Sequence, residues 1–118
     1  MNTGQTIEAL QALAQEHRLA AFRLLVEAGP PGMAAGEIAR ALSVAPATLS
    51  FHLNQLAQAG LVGSRRDGRS IIYAANFAAM EDLVGFLTEN CCRGSGGTCA
   101  PTVPLSNAGA LILEENEP

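Results

Sequence analysis

All three cysteines of this chain, Cys91, Cys92 and Cys99, fall within nine residues near its C-terminal end. Cys91 and Cys92 close a helical pattern running from Met80 to Asn90, and the six residues from Arg93 to Thr98 include three glycines. A segment that supple can fold back and bring Cys99 to the other two. Three converging thiolates form a soft site with three donors. Zinc usually takes four ligands, and hard cations take oxygen. A trivalent thiophilic centre carrying a lone pair, such as As(III) or Sb(III), is satisfied by three sulfurs in a pyramid. Adjacent residues point about 100° apart on an ideal helix, so Cys91 and Cys92 serve one centre only where the helix ends. Asn90 and the glycines beyond it suit such an ending.

Two other uses of these cysteines stay open: a redox switch made by two thiols, and structural thiols buried as small hydrophobes. A disulfide framework calls for an even count and an oxidising compartment. The count is odd, the first residues lack a basic segment with an apolar core, and no stretch approaches 18 apolar residues. These features point to a reduced, cytoplasmic protein without a membrane partner.

The elements that position such a site come next. With 118 residues, 48% of them hydrophobic and 15% charged, one globular domain is expected. Lysine is absent; all seven basic residues are arginine, and the net charge is −4. The average conceals a local excess. From Arg40 to Tyr73 the charged residues are Arg40, Arg65, Arg66, Asp67 and Arg69, a balance of +3, whereas Glu114, Glu115 and Glu117 form an acidic tail. A basic patch on an acidic protein can still face phosphate.

The hydrophobic spacing predicts a run of short helices. Ile7, Leu10, Leu13 and Ala14 follow one apolar helix face. A second helix starts near Glu16 and carries Leu19, Phe22, Leu25 and Val26 up to the breaker Gly29-Pro30-Pro31-Gly32. Glu37–Leu42 is a short third helix, Ser43-Val44-Ala45 a turn, and Pro46 opens a fourth helix that runs to about Ala59 and stops at Gly60. A fifth covers Phe77 to Asn90. Two short helices joined by a tight turn make a helix-turn-helix pattern. On the fourth helix Leu49, Leu53 and Leu56 are the buried stripe. Ala47, Ser50, Phe51, Asn54 and Gln58 lie opposite, flanked by Thr48, His52 and Gln55. Such a face is commonly just solvated. It also suits base reading: hydroxyls and amides bond base edges, and Phe51 can touch a thymine methyl.

The following segment favours the second reading. Leu61–Arg66 and Arg69–Ala74 read as two strands joined at Asp67-Gly68, with Arg65, Arg66 and Arg69 at the tip. An arginine-tipped hairpin after a helix-turn-helix is a wing, able to reach phosphates or a minor groove.

Taken together, residues Leu10 to Leu87 resemble the ArsR-type (arsenic-repressor) family of winged-helix transcriptional repressors. The carrying stretches are Glu16–Leu19 through Leu25, Gly36–Leu42, Ala47–Val62 with its Ser50-x-His52-Leu53 and Ala59-Gly60-Leu61-Val62 runs, and Arg69-x-x-x-Tyr73. The resemblance implies a homodimer packed through its first and last helices, here by Leu10 and Leu13 on the first and Phe77, Met80, Leu83, Val84 and Leu87 on the last. It also implies a repressor that leaves its operator when an inducer binds. Two familiar sensor sites of the family are missing. Met33–Glu37, at the start of the third helix, has no thiol, and Phe77–Asn90 has no histidine. Leu87–Cys92 followed by Cys99 instead looks like the subset whose As(III) site lies after the last helix.

The expectation is therefore a mainly α (α+β) winged helix-turn-helix of five helices and a two-stranded wing, homodimeric. Residues 1–92 form the DNA-binding and dimerisation domain, and residues 93–118 form an inducer-binding tail. The expected function is As(III)-responsive repression through Cys91, Cys92 and Cys99, with Sb(III) or methylarsenite as further inducers and no resident cofactor. The DNA contacts are Ala47, Thr48, Ser50, Phe51, His52, Asn54, Arg65, Arg66 and Arg69. Double-stranded operator DNA is the partner, with half-sites about 34–36 Å apart. A redox- or persulfide-sensing repressor on the same fold, or a cytosolic thiol-dependent metalloid-binding module, are the alternatives. No catalytic constellation is evident, and Gly94-x-Gly96-Gly97 follows no strand and opens no helix, so an enzyme is not expected.

Overall fold

The computed structural model describes residues 1–96, so Cys99 lies outside the described residues. A first compact unit covers Met1–Leu87, and a second begins at Thr88. The elements are α1 (Thr3–Leu13), α2 (Glu16–Ala28), β1 (Met33–Ala34), α3 (Ala35–Leu42), α4 (Pro46–Gln58), β2 (Val62–Asp67), β3 (Ser70–Ala75) and α5 (Phe77–Thr88), followed by a 3-10 turn at Arg93–Ser95. The fold is a mainly α winged helix-turn-helix.

Local chemistry explains most boundaries. Asn2 caps α1 reciprocally with Gln5: the Gln5 N–H donates to Asn2 Oδ1 at 2.8 Å, and the Asn2 N–H donates to Gln5 Oε1 at 2.9 Å. Gly29, with φ of 81°, ends α2. Pro46 occupies the first turn of α4, where its missing N–H costs no hydrogen bond. Asn76 starts α5 by accepting from the Ala79 N–H, while its Nδ2 donates to the Gly60 carbonyl at 2.9 Å. That side chain ties the start of α5 to the end of α4.

The core is built from Leu25, Ile38, Leu49, Leu53, Leu56 and Leu61, all essentially inaccessible to solvent. Three of them form the expected stripe of α4. The turn between α3 and α4 is closed by Ser43 in a left-handed conformation and by buried Val44.

Three features depart from the sequence reading. First, α1 buries Thr6, Ala9 and Ala12 and leaves Ile7 and Leu10 exposed. The small side chains allow close approach to α2 and α4, which rotates the expected apolar face outward. Second, the sheet has three strands in the order β1-β3-β2, with Met33 opposite Tyr73 and Ala34 opposite Ile72. Gly32 makes this pairing possible: its φ is 73°, and a Cβ there would sit 2.2 Å from the Tyr73 carbonyl oxygen. Third, Asp67 pairs with Ser70, so the two-residue loop is Gly68-Arg69 and not Asp67-Gly68. Gly68 has φ of 65° and Arg69 is not left-handed, the pattern of a type II′ turn with glycine first.

Candidate nucleic-acid interface and thiol pair

The reading face of α4 is assembled largely as its periodicity implies. Ala47, Thr48, Ser50 and Asn54 are exposed, and Phe51 keeps 59% of its surface open to solvent. Gln55 and Gln58 instead border a groove of about 380 Å³ against α1, alongside Glu8, Gln11 and Arg18.

His52 departs from this face. It is 8% exposed, so it is not available as a base-reading side chain. Position 52 is three residues from Leu49 and four from Leu56, which makes it a neighbour of the buried stripe, and the packing of α2 against α4 covers it. Arg18 Nη1 donates to His52 Nδ1 at 3.3 Å, and Arg18 Nε donates to the Ala12 carbonyl at 2.6 Å. A guanidinium can only donate, so His52 accepts through Nδ1 and carries its proton on Nε2. Burial holds the His52 pKa below its ordinary value, reinforced by the charge of Arg18 and then by His17, whose ring lies 5.5 Å away. The Phe51 ring meets His52 edge-on at 5.7 Å. Arg18 thus connects the end of α1 to the middle of α4, a role that no spacing rule reveals because its partners are 6 and 34 residues away.

On the wing, Arg65, Arg66 and Arg69 are all exposed. They do not share one face. Arg65 and Arg66 are successive strand residues opposite Ile72 and Ile71, so they point to opposite sides, and Arg69 occupies the loop. Arg65 Nη2 donates to the Pro31 carbonyl at 3.0 Å, which spends one arginine partly on fastening the wing to the α2–β1 loop.

The residues expected at a dimer interface divide. Leu10 is exposed and Leu87 is 59% exposed. Leu13 and Met80 are partly buried against the chain's own core. Leu83 is 7% exposed and belongs to that core, so it is not a surface residue awaiting a partner. Val84, expected there too, is 55% exposed, whereas Phe77 is partly buried against the core. A helix with apolar residues at 80, 83, 84 and 87 has two candidate faces, and only packing selects which turns inward.

Beyond α5 the chain leaves helical geometry. The Cys91 N–H donates to the Thr88 carbonyl at 2.9 Å, and Asn90 and Cys92 take left-handed φ values of 60° and 62°. The sulfurs of Cys91 and Cys92 come to 3.5 Å. Taking the zinc–thiolate length of about 2.3 Å as a guide, two sulfurs at this separation subtend about 100° at a shared centre. That is below the planar trigonal value, so the pair is compatible with a pyramidal three-coordinate atom. Among the described residues no group of three metal-binding side chains forms; Cys99 lies outside them. No described helix is long and apolar enough to cross a membrane.

A helix-turn-helix with an arginine-bearing hairpin defines the class of winged-helix DNA-binding proteins, and comparison with known proteins narrows it. Residues 13–65 match the helix-turn-helix domain model. The transcriptional regulator YgaV of Escherichia coli is 30% identical over 88 residues, 75% of this chain and 87% of the relative. The structure of HlyU from Vibrio cholerae matches with a TM-score of 0.63 and 25% identity over 77% of this chain and 96% of HlyU. The homodimeric winged helix-turn-helix domain of Mb0332 from Mycobacterium bovis, a possible ArsR-family regulator, matches with a TM-score of 0.59 and 29% identity over 74% and 81%. This chain belongs to the ArsR-type family of winged helix-turn-helix transcriptional regulators.

Proposed function

We propose that this regulator is a metalloid-responsive repressor that binds operator DNA as a homodimer and releases it when As(III) or Sb(III) bonds Cys91, Cys92 and Cys99. The observation that carries the metalloid reading is the 3.5 Å approach of the Cys91 and Cys92 sulfurs past the end of α5. A third cysteine follows seven residues after Cys92 in the sequence. Three thiols and arsenious acid give a tris-thiolate and three waters, so neither oxidant nor reductant is needed. Dimerisation through α1 and α5 is supported by the exposed apolar side chains of Ile7, Leu10, Val84 and Leu87, and by the homodimeric M. bovis relative. Release requires the metalloid to bind the DNA-free state more tightly. A coupling of about 1–3 kcal/mol lowers DNA affinity roughly 5–150-fold.

Mobility shifts on operator DNA with and without arsenite test this. Each Cys→Ser variant should bind DNA and resist release by arsenite. Methylarsenite has one position filled by carbon and needs two sulfurs, so Cys99→Ser should keep a response to it. Wild-type behaviour of Cys99→Ser toward arsenite would remove Cys99 from the site. The second reading, a thiol redox or persulfide switch, is favoured by the same sulfur approach because oxidation needs only two thiols. Release by peroxide but not by arsenite would select it.

A further inference from the structure

We propose that α4 is built to read A·T pairs, with Asn54 on an adenine edge and Phe51 and Ala47 on thymine methyls. The inference rests on the DNA-binding part of the function above and names the kind of sequence that function requires. From Pro46 to Gln58 the helix reads Pro-Ala-Thr-Leu-Ser-Phe-His-Leu-Asn-Gln-Leu-Ala-Gln, with no Arg, Lys, Asp or Glu. Guanine is read bidentately by Arg or Lys and cytosine by Asp or Glu, so neither has its usual reader on this helix. The preceding helix does not supply one: the Arg40 guanidinium lies back over Gly36, 3.5 Å from where a Cβ on that glycine would be.

The side chains that are present select the other pair. An asparagine amide matches the donor and acceptor pattern of adenine N6 and N7, and apolar groups match the thymine methyl. Gln55 and Gln58 border the groove against α1, which leaves Asn54 as the amide at the centre of the exposed face. Ala47, Ser50, Phe51 and Asn54 are spaced as successive neighbours on one helix surface. Ser50 and Thr48 hydroxyls accept or donate to either pair and add little discrimination. Phe51 is held in place before DNA arrives: its ring rests edge-on against His52, which Arg18 fixes from behind. Pre-ordering of this kind lowers the entropy cost of inserting an apolar group into a groove.

The test is selection of duplexes from a random pool by the full-length reduced protein, followed by uracil substitution. The expected half-site is A·T-rich where α4 docks. Replacing a contacted thymine by uracil removes one methyl and should weaken wild-type binding about fourfold, the value of one buried carbon. At the thymine under Phe51 the same replacement should leave Phe51→Ala unaffected, while the thymine under Ala47 still responds. Asn54→Ala should flatten the preference for adenine at one position, a loss of about 5- to 150-fold. Both residues are exposed, so these variants fold, and the uracil arm needs no variant. G·C-rich half-sites, or indifference of the wild type to uracil at every position, overturn the inference and leave DNA binding intact. Failure to retain any duplex even at low salt overturns the DNA-binding reading itself.

Discussion

Helix α4 and the α1/α5 pair treat their leucines in opposite ways. Helix α4 buries Leu49, Leu53 and Leu56 completely within its own chain and shows solvent mostly small and polar groups, with Phe51 as the apolar exception. Helices α1 and α5 fill the core with Thr6, Ala9, Ala12 and Leu83, and leave Ile7, Leu10, Val84 and Leu87 outside. Burial is complete in the first region and unfinished in the second. Full burial of such a side chain is worth about 1.5–3 kcal/mol and these four are 42–59% exposed, so covering each by a second copy adds roughly half that amount. The proposed reading head is therefore a property of one chain, and the proposed dimer seam is a property of two.

Substitutions can break that contrast. Leu53→Ala should destabilise the fold itself by about 2–5 kcal/mol, because a cavity opens in a site that cannot collapse. Chemical denaturation should show a lower midpoint with an unchanged slope, and a loss under 1 kcal/mol would mean that α4 is not anchored as described.

Next in size is the seam. Val84→Glu with Leu87→Glu should give monomers by sedimentation and lose operator affinity, while the helical circular dichroism stays native. Leu83→Glu should instead unfold the chain, since that carboxylate would have to enter the core. If Leu83→Glu yields a folded monomer and the Val84/Leu87 pair stays dimeric, the assignment of faces on α5 is reversed.

The smallest effect concerns the Arg18–His52 contact inside the finished region. The His52 pKa is held down in the folded state, mainly by burial, so folding favours the neutral ring. Its contribution to stability is present above the ordinary histidine pKa of about 6.5 and is lost as pH falls through the folded value. His52→Gln offers Arg18 an acceptor that does not titrate. Between pH 7.5 and pH 5, the wild-type Tm should fall by more than that of His52→Gln. Parallel pH profiles for the two proteins would show that His52 titrates as it does in the unfolded chain.

Helix boundaries and the helix-turn-helix were legible because they depend on local rules. Gly29-Pro30-Pro31-Gly32 stops α2, Pro46 opens α4 and Gly60 follows its end, whatever else the chain does. The leucine stripe of α4 and the exposure of Ala47, Ser50, Phe51 and Asn54 follow from the 3.6-residue period alone. The convergence of Cys91 and Cys92 was legible as a condition, that the helix end before them, and α5 ends at Thr88.

What tertiary structure alone decided is which of two competing faces turned inward. Ile7 and Leu10 are the hydrophobic side of α1 by composition. Yet Ala9 and Ala12 win the core, because small residues let α1 approach its neighbours closely and dispersion rewards that contact. Leu83 and Val84 are adjacent, so a rotation of about 100° exchanges them, and the choice depends on what α5 meets. His52 carries a polar ring that propensity places outside, and Arg18, distant in sequence, supplies the partner that lets it stay within. The two residues of β1 are too few to carry a period. They became a strand only because Gly32 allows the backbone to reach Tyr73.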